Sequence, residues 1–168
     1  QPYLTLQEQL DVSLLNKKIQ LNLKEDIKLK ICNNDLAKVK EICKTKKVVK
    51  LRIKIYSEED YKLFDDEEIT SSLDNFEIYF RIKKGRLEFL PKLKETLKIL
   101  NLTENRYVLD FTPVKELINL ESLDISKCRK KDFNYIKDLT KLKRLNLSFN
   151  PEADFSPIAN LKNLEYIN

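Results

Sequence analysis

Leu120-Glu-Ser-Leu-Asp-Ile-Ser-Lys-Cys128 and Leu142-Lys-Arg-Leu-Asn-Leu-Ser-Phe-Asn150 share one skeleton, LxxLxLxx(N/C), set 22 residues apart. Frames of this kind begin at Leu97, Leu120, Leu142 and Leu164, spaced by 23, 22 and 22 residues. A unit this short cannot enclose its own apolar side, so it must stack on its copies and share a continuous core with them. Behind each skeleton comes a second recurring unit: Phe111-Thr-Pro-Val-Lys-Glu-Leu117, Phe133-Asn-Tyr-Ile-Lys-Asp-Leu139 and Phe155-Ser-Pro-Ile-Ala-Asn-Leu161. Thr112, Asn134 and Ser156 occupy N-cap positions, and Pro113 and Pro157 the first helical position. Each repeat therefore reads as a short strand followed by a short helical turn.

These residues resemble a leucine-rich repeat, of the 22-residue kind found in internalins and in SDS22-like regulators, and LNLSFNPEADFSPIANLKNLEYIN carries the likeness most fully. The resemblance implies an α/β solenoid: a horseshoe with a parallel sheet on its concave side and short helical or 3-10 segments on its convex side. Upstream the frames loosen to Leu73-Phe76-Ile78 with Arg81 at the rung, Val48-Leu51-Ile53 with Tyr56, and Asp26-Leu29-Ile31 with Asn34. Behind the last of these, Leu36, Val39 and Ile42 stand at helical spacing. Residues 26–168 then hold about six repeats and the start of a seventh strand.

Residues 1–25 fit no frame and are expected to form an N-terminal cap. Thr5-Leu-Gln-Glu8 is a capping box opening a helix with Leu6, Leu10 and Leu14 on one side. Ile19-Gln-Leu-Asn-Leu23 and Ile27-Lys-Leu-Lys-Ile31 alternate about Lys24-Glu25-Asp26 as a hairpin whose second strand begins the sheet. At the other end the seventh strand stops at Asn168, which points to a longer natural chain or to a dimer through that edge.

With the frame leucines inside, strand alternation sends the third, fifth and seventh positions to the concave face. Lys28, Lys30, Lys50, Arg52 and Lys54 then fall on two neighbouring strands about 4.8 Å apart, with Glu77 the one acidic residue nearby. Stacked like charges do not favour folding, so the patch is a candidate docking site for an acidic partner surface. The blander reading is that these lysines merely keep an exposed sheet soluble. Tyr79 and Ile99, an aromatic and an aliphatic residue on the same face, would supply an apolar interface centre. Phe80 and Phe149, at the eighth position, read as packing against the turn after the strand.

Composition narrows the chemistry. The chain has 168 residues, a formal charge of +5 and no His, which removes His-based triads, His general bases and the commonest metal ligand. Cys32, Cys43 and Cys128 lack CxxC spacing; Cys32 and Cys43 fall on opposite sides of one repeat and are not expected to pair, and Cys128 occupies a rung. The runs Glu58-Glu59-Asp60 and Asp65-Asp66-Glu67-Glu68 lack the alternating ligands and central Gly of a calcium loop and read as a solvated outer face. No metal, cofactor or enzymatic activity is expected.

Asn101-Leu-Thr103 and Asn146-Leu-Ser148 match the glycosylation sequon, but the repeat itself favours those triplets. No apolar run approaches the length of a membrane span. Nucleic acid or anionic lipid is the weaker reading of the basic strands, because no aromatic ladder accompanies them. Absence of Met points to a processed chain or equally to a trimmed one, and the internalin likeness to a secreted host-interaction protein of an intracellular parasite. A cytoplasmic SDS22-like scaffold is the alternative.

Overall fold

The computed structural model describes residues 28–31, 50–55, 58–71, 75–80 and 85–168. The expected cap helix over Thr5–Leu14, the first hairpin strand, the Leu36–Ile42 segment, Cys32, Cys43 and the rung positions Asn34, Tyr56 and Arg81 lie outside the described residues. Seven strands form one parallel sheet in sequence order: β1 (Lys28–Ile31), β2 (Lys50–Ile55), β3 (Asn75–Phe80), β4 (Ile99–Asn101), β5 (Ser122–Asp124), β6 (Arg144–Asn146) and β7 (Tyr166–Ile167). Third positions of successive frames are neighbours, with Ile99 beside Ser122, Ser122 beside Arg144 and Arg144 beside Tyr166.

Parallel strands need a return crossover, and a full α-helix does not fit in so few residues. Among the described residues the chain returns through 3-10 turns instead: η1 (Glu58–Asp65), η2 (Leu90–Leu93), η3 (Thr112–Glu116), η4 (Asn134–Ile136) and η5 (Ser156–Asn160). One four-residue α-helix, α1 (Glu67–Thr70), follows η1. Its N-cap is Asp66, whose carboxylate accepts the amides of Glu68 and Ile69 at 3.1 and 3.3 Å. Part of the acidic run thus serves a helix start, and other members make surface ion pairs, Arg86 with Glu58 and Lys92 with Asp65.

The core lies between the sheet and these turns. From the strand side come Leu97, Leu100, Leu102, Leu120, Leu123, Ile125, Leu142, Leu145 and Leu147, all buried. Val114, Leu117, Ile136 and Leu139 close it from the outer side. Phe111 and Phe133 fill the end of the layer, and Phe155 stacks on Phe133 with ring centroids 6.1 Å apart.

Strands β4, β5 and β6 each end in a turn that carries a buried rung residue. Glu104, Lys127 and Phe149 take positive φ of 66°, 57° and 59°, and the next residue points inward. There Asn105 Nδ2 donates to the Leu102 carbonyl at 2.9 Å, and Asn150 Nδ2 to the carbonyls of Ile125 and Leu147 at 2.9 and 2.8 Å. Asn150 Oδ1 also accepts the Lys130 amide at 3.0 Å. Cys128 stands in for Asn by donating its thiol to the Leu102 carbonyl at 3.1 Å. Burial pushes that thiol up to about 11, so it stays protonated and unreactive at neutral pH.

The 3-10 turns start one residue earlier than the sequence expectation, and their capping side chains lie two residues earlier. Thr112, Asn134 and Ser156 are the first residues of their turns, not the caps, and Pro113 and Pro157 follow in second place. The capping groups are Asp110, Asp132 and Asp154, whose carboxylates accept the amides of Thr112, Asn134 and Ser156 at 2.8, 2.8 and 2.9 Å. A side chain two residues upstream reaches the first free amide, which makes an Asx turn rather than a helix N-cap. Bonds from the Thr112 hydroxyl and amide hold the Asp110 carboxyl below its usual value, and those from the Ser156 amide and hydroxyl do the same for Asp154.

Two stability measurements test this account. Asn150→Ala strips partners from two buried carbonyls and is expected to cost about 3 kcal/mol in urea unfolding, whereas a loss under about 1 kcal/mol would mean that water replaces the rung. The Tyr135 hydroxyl is buried without a hydrogen-bond partner among the described residues, and burial drives its phenol pKa far up. Tyr135→Phe is therefore expected to leave stability unchanged or raise it by about 1 kcal/mol.

Candidate partner-binding face

Register decides which of the sequence-assigned residues meet. β1 pairs with β2 so that Lys28 lies beside Lys50 and Lys30 beside Arg52. β2 pairs with β3 so that Arg52 lies beside Glu77 and Lys54 beside Tyr79. Four of the five cations thus form two like-charged neighbour pairs, and the fifth has an aromatic neighbour. Ile99 is the register partner of Asn75, not of Tyr79. Tyr79 and Ile99 are therefore separated by one strand step and by four residues along the strand, about 13 Å. The apolar groups flank the basic strands at opposite ends instead of forming one centre.

Beyond β3 the open face changes character. Asn101, Asp124 and Asn146 stand in one register row, and each accepts the backbone amide two residues on, from Thr103, Ser126 and Ser148, at 2.9, 2.9 and 3.1 Å. The Ser126 and Ser148 hydroxyls donate to the same carboxylate and amide oxygens at 2.6 and 2.8 Å. Asn146 Nδ2 reaches across to Asp124 Oδ2 at 2.9 Å. Polar groups that already satisfy one another offer little to a ligand, because any new bond must first replace an existing one. The same engagement occupies the side-chain nitrogen of Asn146 and the side-chain oxygen of Asn101 among the sequon asparagines.

What remains available in this half is the third-position row. Ile99 is 39% exposed and Tyr166 56% exposed, with Ser122 and the exposed Arg144 between them. Arg144 makes no ion pair among the described residues. On the strand-entry side the charges are matched instead: Lys143 bonds Glu121 at 2.8 Å, and Lys141 bonds Asn119 at 2.7 Å. The bond with Lys143 lowers the Glu121 carboxyl and raises the lysine.

One residue was misread from the sequence. Phe149 does not pack on the turn; it is 74% exposed, with the Lys127 ammonium 5.8 Å from its ring centroid. Phe80 shares its place in the pattern but is the last residue of the six-residue strand β3, whereas Phe149 lies past the three-residue β6 at positive φ. The backbone reversal turns the eighth position outward. The shortening of the strand is invisible in the leucine spacing.

The sequence matches no protein-family model and no curated protein. Solved structures do resemble the fold. An internalin, InlC2, from Listeria monocytogenes shares 20% identity over 84% of this chain and 70% of its own, with a TM-score of 0.54. A second internalin from that organism, InlF, shares 19% over 83% of this chain, with a TM-score of 0.50, and here the chain spans only 53% of the other protein's length. TLR13, solved in complex with a single-stranded RNA, shares 17% over 83% of this chain and 21% of its own, with a TM-score of 0.61. The fold is a leucine-rich-repeat solenoid.

Asp124 holds the polar row together. Asp124→Ala removes the acceptor shared by Ser126 and Asn146 and is expected to cost about 1–2 kcal/mol in chemical unfolding. No measurable loss would show that these bonds are replaced by water and that the row is open to ligands.

Proposed function

We propose that this chain is a non-enzymatic protein-binding module that holds an acidic partner surface against the N-terminal half of its open face. The residues that carry this are Lys28, Lys30, Lys50, Arg52 and Lys54, flanked by Tyr79 and Ile99. The observation behind it is the register of β1 on β2, which sets Lys28 beside Lys50 and Lys30 beside Arg52. Neighbouring like charges on one face oppose folding by a few tenths of a kcal/mol each, and an anionic surface relieves that repulsion. Solenoids commonly use the open face of the sheet for such contacts.

The setting we infer is a secreted host-interaction protein, which rests on the likeness to internalins alone; a cytoplasmic regulatory scaffold is the alternative. TLR13 was solved with single-stranded RNA, so an oligonucleotide belongs in the test. Self-association through β7 is a further reading, and a concentration-dependent mass in solution would reveal it.

The experiment compares the native chain with Lys50→Glu/Arg52→Glu/Lys54→Glu after matched circular dichroism shows both folded. Binding of a purified acidic protein-surface mimic and of a single-stranded oligonucleotide is measured across salt. The native chain is expected to bind the acidic mimic and the variant to lose at least tenfold in affinity. Equal binding by both chains would make the lysines a solubility device. Preference for the oligonucleotide, with affinity falling steeply in salt, would assign the patch to nucleic acid.

A further inference from the structure

Phe149 stands at a position that neither packing nor backbone preference explains. It is 74% exposed, so its ring serves the core little. It also adopts φ 59°, a conformation that disfavours bulky side chains and suits Asn or Gly. The turn imposes positive φ on the equivalent Glu104 and Lys127 as well, but there the chain places charged residues suited to solvent. An aromatic ring here is costly twice over, in backbone conformation and in hydration, and strain retained at an exposed site points to function.

The surroundings state what the ring would meet. The Lys127 ammonium is 5.8 Å from the Phe149 centroid, and it also bonds Glu104 Oε1 at 3.0 Å. Arg106 lies along the same turn, its Nε donating to the Lys127 carbonyl at 3.4 Å. Arg129, exposed and itself at φ 57°, occupies the repeat position equivalent to Arg106, directly after the rung residue. Neither arginine makes an ion pair among the described residues. An exposed aromatic with a Lys ammonium over its ring, on a rim of turns that also carries two arginines, has the composition of a hot spot, in which a ring anchors an apolar group and the cations select acidic flanks.

We propose that Phe149, with Arg106, Lys127 and Arg129, forms a docking site at the strand-exit rim of the sheet for an acidic peptide segment carrying an apolar side chain. This site is separate from the basic strands β1 and β2 and does not depend on their role. A nucleic acid fits it less well: the row Glu104, Lys127, Phe149 presents a single ring, whereas stacking along a strand of bases needs several.

The test uses the full chain and a fluorescein-labelled synthetic dodecapeptide of Glu and Asp with one central Leu. Its controls are the same peptide with Ser for Leu and a single-stranded oligothymidylate. The native chain is expected to bind the Leu peptide at least tenfold more tightly than the Ser peptide. Phe149→Asn, which suits the backbone, is expected to abolish that preference while its melting temperature stays equal or rises. Arg129→Glu should weaken the Leu peptide at least tenfold, and Lys50→Glu/Arg52→Glu/Lys54→Glu should leave the Leu-over-Ser preference intact.

The proposal is overturned if the native chain does not distinguish the Leu and Ser peptides, or if Phe149→Asn binds as the native chain does. It is equally overturned if Phe149→Asn melts at a lower temperature, which would make the ring a packing residue. Tighter binding of the oligothymidylate than of the Leu peptide would hand the site to nucleic acid.

Discussion

The bond from each rung side chain to the carbonyls of its turn is the constraint on which the repeat depends. A strand of three residues leaves backbone groups at its exit that no neighbouring strand pairs, and the chain must reverse there to reach the outer layer. Asn105 and Asn150 satisfy those carbonyls from inside, and in doing so they require the preceding residue to sit at positive φ. The turn therefore fixes two things together: a buried polar residue that is bonded, and an outward residue whose side chain is thrown into solvent. A buried amide without those carbonyls would cost several kcal/mol, so neither half of the arrangement stands alone.

That coupling separates the two halves of the sheet. In the later repeats the strand ends early, the eighth position turns out, and the fifth and seventh positions fold onto one another through the Asn101, Asp124 and Asn146 row. In β2 and β3 the strands run six residues, and the pairing continues through Ile55 beside Phe80. The longer ladder is how Lys54 comes to lie beside Tyr79. The basic half and the self-satisfied half thus follow from strand length as well as from residue type.

The fold was largely legible because the leucine frame is a direct record of burial: Leu97, Leu100, Leu102 and their equivalents are inside, and their register partners are one frame away. The caps were read two residues late, since the pattern at Thr112, Asn134 and Ser156 satisfies the rule for an α-helix N-cap. The elements are 3-10 turns, and Asp110, Asp132 and Asp154 serve them through side chains placed further upstream. The site was less legible. Alternation assigns a face to Tyr79 and Ile99, but only register shows that one lies beside Lys54 and the other beside Asn75. Phe149 was misassigned because a hydrophobic residue at a fixed repeat position reads as core unless the backbone dihedral is known.

The residues of the open face and its rim differ in how far the fold has already committed them. Groups bound within the fold, such as Asn146 and the Lys143–Glu121 pair, contribute rigidity and lose their bonds if a ligand claims them. Arg144 and Arg129 make no ion pair among the described residues, so a partner would have no such bond to break there first. Affinity concentrates where desolvated anchors meet few competing internal bonds. On a solenoid held by rungs rather than by side-chain contacts across its surface, those anchors can change from repeat to repeat while the core beneath them stays the same.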